Sequence, residues 1–207
     1  MKSYRTVWET CRVEQTEKRS RFITTVARVQ SREQANEFIN SIKSEFPDAR
    51  HHVYAYSLAD GYSKYSDDGE PSGTGGMPVL SVIKASELLD IAVVVTRYFG
   101  GILLGTGGLT RAYSGGAAAA IEACQKAQQQ PVTFYKADCD YSRYNSICEK
   151  GFDNVTVQAE NFTDTVELSF SVPSVYAQAF EEDWKQRFFG DTLPQKCEEK
   201  LVICKIN

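Results

Sequence analysis

Apolar and polar positions alternate loosely through TVWETCRVEQ, stop at the charged knot TEKRSR and resume in RFITTVARV, the pattern of two strands joined as a hairpin. The period then changes. In SREQANEFINSIKSEF, Phe38, Ile39, Ile42 and Phe46 recur at helical spacing, Ser31 and Gln34 stand at capping-box distance, and Pro47 ends the helix. HHVYAYSLA returns to alternation as a third strand and gives way to the polar loop DGYSKYSDDGEPSG. MPVLSVIKASELL reads as a helix with Pro78 in its first turn, and IAVVVTRYF as a buried central strand, because a continuous β-branched run suits a strand covered on both faces. LTRAYSGGAAAAIEACQKA is again helical. Gly115 and Gly116 inside it each cost about 1 kcal/mol relative to alanine, so the helix backbone is expected to lie close against a neighbour, most simply a sheet face.

The polar tract QKAQQQP, where polar composition meets a helix-stopping proline, is the best boundary in the chain and divides 1–128 from 129–207. Beyond it come strand VTFYKADCDY, helix SRYNSICEKG, strands VTVQAENF and TVELSFSVP, helix SVYAQAFEEDWKQRFFG and strand KCEEKLVICKI. This βαββαβ order is the split-βαβ, ferredoxin-like arrangement. The chain is therefore expected to be an α+β protein of two domains.

With 207 residues, 42% of them hydrophobic, the chain can build a real core in either part. No stretch reaches the roughly 20 apolar residues that span a bilayer, and MKSYRTVWET lacks the apolar middle of a signal peptide, so a cytoplasmic protein without a membrane partner is expected. Six scattered cysteines without a C-x-x-C pair read as reduced thiols. The net charge is −4, but residues 1–130 carry 15 basic against 14 acidic side chains and residues 131–207 carry 8 against 13. The second part is thus a poor independent binder of nucleic acid.

Eleven of the fourteen glycines fall between Gly69 and Gly116, and five stand between Arg97 and Arg111 in RYFGGILLGTGGLTR. Gly100 and Gly105 have P-loop spacing, yet Thr106 and Gly107 occupy the places where lysine and Ser/Thr are needed. Neither Gly73-Thr74-Gly75 nor Gly105-Thr106-Gly107 has the third glycine of a dinucleotide fingerprint. Two readings remain. In one, Gly100, Gly101, Gly105, Thr106, Gly107 and Gly108 free backbone N–H groups for an anion at a helix N-terminus, with Arg97 and Arg111 each contacting a phosphate. In the other, the glycines permit a tight strand-to-helix crossing and the arginines pair with Asp67, Asp68 or Glu70.

Those three carboxylates lie within four residues and could hold Mg²⁺ or Ca²⁺, but without EF-hand spacing; a turn with ion-pair partners is the preferred reading, and neither metal nor cofactor is expected. His51 and His52, the only histidines, point to opposite faces of one strand and cannot share an ion, although one could act as a general base. With Arg50 the histidines form a polar strand entry, near the knot where Lys18, Arg19 and Arg21 sit beside Phe22, a combination suited to phosphate and base contacts. Ser72 and Ser114 sit near glycines outside any G-x-S-x-G, and no catalytic constellation assembles.

SDDGEPSGTGGMPVL and VVVTRYFGGILLGTGGLTRAY, preceded in order by KRSRF and DARHH, resemble the hallmark segments of the Impact family, whose bacterial members are the YigZ-type proteins. The resemblance implies an N-terminal domain like the second domain of ribosomal protein S5 and a ferredoxin-like C-terminal domain, a pair similar to the fourth and fifth domains of the translocating elongation factor. Eukaryotic relatives regulate translation initiation through the activator of a starvation-sensing kinase and carry a different partner domain. The expected function is that of a non-catalytic, translation-associated factor that binds structured RNA or the ribosome. A metal-dependent hydrolase at the acidic loop and a purely protein-binding module of the translation machinery are the alternatives.

Overall fold

In the computed structural model, which describes residues 3–188 and 193–206, the chain divides into two units, one built chiefly from Tyr4–Gln128 and the other from Gln129–Ile203. The first contains β1 (Tyr4–Val7), β2 (Cys11–Glu17), β3 (Ser20–Arg28), α1 (Arg32–Glu45), β4 (His51–Ser57), β5 (Ser63–Ser66), α2 (Gly76–Ala85), β6 (Ile91–Tyr98) and α3 (Thr106–Ala123). Then follow β7 (Lys126–Cys139), α4 (Tyr141–Lys150), β8 (Thr156–Phe162), β9 (Val166–Pro173), a 3-10 turn at Ser174–Tyr176, α5 (Ala177–Arg187) and β10 (Gln195–Lys205).

The β-branched run of β6 takes the centre of an antiparallel sheet ordered β2-β3-β6-β4-β5, and every residue from Ile91 to Arg97 is buried. Both faces are covered. On one, Ala35, Ile39 and Ile42 of α1 pack with Tyr56, Ala92 and Val94; on the other, Val79 and Ile83 of α2 and Tyr113 and Ala117 of α3 pack with Phe22, Val53, Val93 and Val95. The close approach predicted for α3 is realised at one of its two interior glycines. A Cβ on Gly116 would lie 2.7 Å from Thr24 Oγ1 and 3.0 Å from Gln15 Nε2, whereas one on Gly115 would meet nothing within 4 Å. The hairpin of β2 and β3 closes through Lys18 and Arg19 alone, both at positive φ (43° and 65°), between the paired Glu17 and Ser20.

Four expectations change. TVWETCRVEQ is two strands interrupted at 8–10, where the Trp8 N–H donates to the Gln125 carbonyl. The polar loop contains the edge strand β5, whose SKYS sequence has no apolar alternation to announce it. α3 begins at Thr106 rather than Leu109, so Gly107 and Gly108 lie in its first turn, and it ends at Ala123 because Cys124 is already extended. The strand predicted from Val132 starts at Lys126, so β7 runs through the boundary tract and its Pro131.

The second unit follows the order βαββαβ, with β10, β7, β9 and β8 adjacent in that sequence. β7–β9 and β8–β9 are antiparallel. Its core joins Tyr135, Leu168 and Phe170 to Phe180 and Trp184 of α5. Of the helix predicted over 174–190, the last two residues lie outside the described ones. Among the described residues no helix is long and apolar enough to cross a membrane.

Candidate functional site

The acidic loop between β5 and α2 spends its carboxylates in three directions. Asp67 accepts backbone N–H groups from Gly73 (2.8 Å), Gly75 (3.0 Å) and Gly76 (2.8 Å), and so supplies the start of α2 with an internal anion. Burial alone would raise the Asp67 pKa; the donors from Gly73, Gly76 and Gly75 outweigh it and hold the carboxyl below its ordinary value. Asp68 pairs with Lys43 at 3.0 Å and accepts the His52 N–H at 2.7 Å. Glu70 is the buried member, its side chain 4% exposed, and its Oε1 accepts from Arg97 Nη1 and from the Tyr113 hydroxyl, each at 2.6 Å. Burial first, and then the Glu70 carboxylate, push the Tyr113 phenol far above its ordinary pKa, so it remains a donor. Among the described residues no group of three His, Cys, Asp or Glu is placed to hold a metal.

The histidines separate as adjacent strand residues must. His51 faces Glu70, with Nε2 3.9 Å from Glu70 Oε1 and Nδ1 2.8 Å from the Asp68 carbonyl. His52 is buried towards the end of α1, where Nε2 lies 3.1 Å from the Phe46 carbonyl; burial lowers its pKa against the opposing pull of that carbonyl and of Asp68.

Arg97 was expected either on a phosphate or on one of three carboxylates, and it takes the carboxylate. It is 5% exposed, paired with Glu70, with Nη2 3.4 Å from Ser20 Oγ, which also accepts the Gly100 N–H at 3.2 Å. The place offered to it as a surface phosphate ligand is thus corrected: buried on the central strand, it ties β6 to the acidic loop and, through Tyr113, to α3. Arg21, also offered as a phosphate contact, holds Glu14 through two hydrogen bonds of 2.7 and 2.8 Å and lies over the Tyr98 ring. Lys18, Arg50 and Arg111 are exposed, and their side chains have no hydrogen-bond or ion-pair partner among the described residues.

The glycine segment opens on a pocket of about 450 Å³ whose floor includes His51, Glu70 and Arg97 and whose walls include Phe99, Leu104 and Leu109; Arg50 and Thr106 also line it. Beyond Leu104, Lys18, Gly108 and Arg111 line a second hollow of about 270 Å³. Gly105, at φ 73°, precedes α3, and no side chain caps the helix. Leu109 N–H donates to the Gly105 carbonyl at 2.9 Å, while the N–H groups of Thr106, Gly107 and Gly108 have no partner among the described residues. Gly100 and Gly101 lead into this segment, and Leu103 is 83% exposed at its tip. Sequence reasoning missed Tyr113, Ser20 and Phe99. The hydroxyl of Tyr113 meets Glu70 across 43 positions, a separation no local pattern reports.

Comparison with known proteins agrees with the hallmark segments. The Impact N-terminal domain model matches residues 18–121. An IMPACT family member of Haemophilus influenzae is 38% identical over 191 residues, covering 87% of this chain and 90% of that protein. The Escherichia coli IMPACT family member YigZ is 43% identical over 134 residues, covering 63% and 66%. A crystal structure of a hypothetical protein, 32% identical, superposes with a TM-score of 0.62 over 100% of this chain and 98% of its own. Matched across its glycine segments by the domain model and along most of its length by a relative of similar size, the chain belongs to the Impact family.

Proposed function

We propose that this protein is a non-catalytic, cytoplasmic, translation-associated factor that binds structured RNA, most directly ribosomal RNA, through the face formed by the glycine segment. The observation that carries the reading is the uncapped start of α3, with three free backbone N–H groups beside three unpaired cations, Arg50, Lys18 and Arg111. Such a start attracts an anion through its N–H groups and the helix dipole. α2 has this need met by Asp67 from within the chain; α3 does not. Family membership supplies the translational context, since eukaryotic Impact proteins regulate initiation. We also assign the first unit, residues 1–128, to the ribosomal-protein-S5-domain-2 type and the second, residues 129–207, to the ferredoxin-like type. The strand order β10-β7-β9-β8, antiparallel at β7–β9 and β8–β9, supports the latter. A protein of the translation machinery can engage the same face alongside the RNA.

The test is binding to ribosomal subunits and to a structured RNA over a range of salt. Arg50→Ala and Arg111→Ala are each expected to weaken binding and to flatten the slope of log K against log salt by about one unit, with the melting temperature unchanged. Unchanged affinity and slope in both variants would overturn the reading, as would metal-dependent turnover by the wild-type protein.

A further inference from the structure

Glu70 is only half satisfied. Its Oε1 takes both the Arg97 and the Tyr113 hydrogen bonds, while Oε2 accepts none among the described residues and keeps solvent contact, although the side chain is 4% exposed and lines the pocket. That oxygen is therefore open to the pocket, where a ligand's donor can take the place of solvent. His51 adds a second acceptor. Its Nδ1 meets a carbonyl oxygen, which can only accept, so Nδ1 carries a proton, and in the neutral form of the ring Nε2 is left as the lone pair. That Nε2 stands 3.9 Å from Glu70 Oε1, too far to bond it, and lines the same pocket.

The floor of the pocket therefore offers two neighbouring acceptors, and one wall offers the Phe99 ring, 42% exposed. Unpaired bases are commonly bound by stacking on an aromatic ring while hydrogen bonds read the pairing edge. Guanine alone among the standard bases carries two adjacent donors on that edge, N1–H and N2–H. Adenine and cytosine set one donor beside an acceptor, and uracil flanks its single donor with acceptors. We propose that the pocket holds one unpaired guanine nucleotide, its pairing edge on Glu70 Oε2 and His51 Nε2, its ring against Phe99, and its phosphate at the start of α3 beside Arg50. The pocket's volume of about 450 Å³ falls within the range of small-molecule sites. This assignment rests on the RNA-binding reading and names the nucleotide that its central pocket selects.

The test is titration of the full-length protein with GMP, AMP, CMP, UMP and IMP at constant salt, with inorganic phosphate as a competitor. GMP is expected to bind at least about tenfold tighter than AMP, CMP and UMP, the discrimination of a good two-point base contact. IMP, which lacks the N2 amine, is expected to fall between them, and that arm needs no protein variant. In Glu70→Gln the amide oxygen can keep Arg97 and Tyr113 while the amide nitrogen turns a donor towards the pocket, so the preference for guanine should disappear. His51→Phe, which neighbours the buried pair but removes none of its hydrogen bonds, should weaken GMP more than the other nucleotides if Glu70→Gln fails to fold. Equal binding of all five nucleotides, or displacement of all of them by phosphate alone at equal concentrations, overturns the guanine assignment even where ribosome binding persists. Guanine selectivity without any RNA or ribosome binding supports the pocket and overturns the function proposed above.

Discussion

Arg97→Ala is expected to destabilise the first unit by about 3–5 kcal/mol, the usual result of removing one partner from a buried ion pair. Both side chains are almost fully enclosed, Arg97 at 7% and Glu70 at 4% exposure, so the carboxylate left behind has little water to turn to. Arg97 lies opposite Phe22 of β3 and His51 of β4 in the sheet register, and its loss also removes the group that holds the acidic loop against the central strand. Urea unfolding of the single variant and of Arg97→Met combined with Glu70→Met checks the cause. Replacing both partners with apolar residues of similar volume should recover most of the loss. A single variant within about 1 kcal/mol of wild type, smaller than any broken buried pair, would mean that the glycine segment is held by its backbone alone.

Gly100→Ala is expected to be the next most severe change. A Cβ there would lie 2.1 Å from the Arg19 carbonyl carbon, 2.2 Å from its oxygen and 2.4 Å from Ser20 N, all of them backbone atoms that cannot swing aside. Overpacking of this kind costs about 3 kcal/mol or more when the backbone itself must shift. Gly101→Ala is the control: at φ 81° with nothing within 4 Å, it should lose only the left-handed penalty of about 1–2 kcal/mol. Thermal and urea midpoints measured on both decide it, and equal losses would show that the contact with the hairpin tip carries no weight.

The legible and illegible parts of this protein divide by range. β6 and α1 could be read directly: the short length, β-branched composition and glycine-rich exit of the one point to a buried strand, and the 3.6-residue period and capping box of the other to a helix. β5 could not, because an edge strand of SKYS buries too little apolar surface to be patterned. The first turn of α3 hid behind Gly107 and Gly108, whose low helix propensity is overridden by the packing of Leu109, Ala112 and Tyr113 further along. At the site, residue types narrowed the partners of Arg97 to two classes without choosing between them. The choice depends on a fold that brings Glu70 across 27 positions to the end of the central strand. The separation of His51 from His52 was readable, since it follows from strand geometry alone.

The turn between β2 and β3 shows what the chain gives up for its surface. A two-residue connection with both φ values positive is the geometry that asparagine followed by glycine adopts with least strain, yet Lys18 and Arg19 occupy it. Lys18→Asn with Arg19→Gly should therefore raise stability by about 1 kcal/mol through the backbone alone, while taking Lys18 from the rim of the smaller hollow and a second cation from the same turn, which under the RNA-binding proposal weakens the hold on a polyanion. Melting temperature and RNA affinity are expected to move in opposite directions in that double variant. The hairpin tip is then a place where a sturdier molecule is a poorer one, and a stability screen run without a binding readout would select against function there.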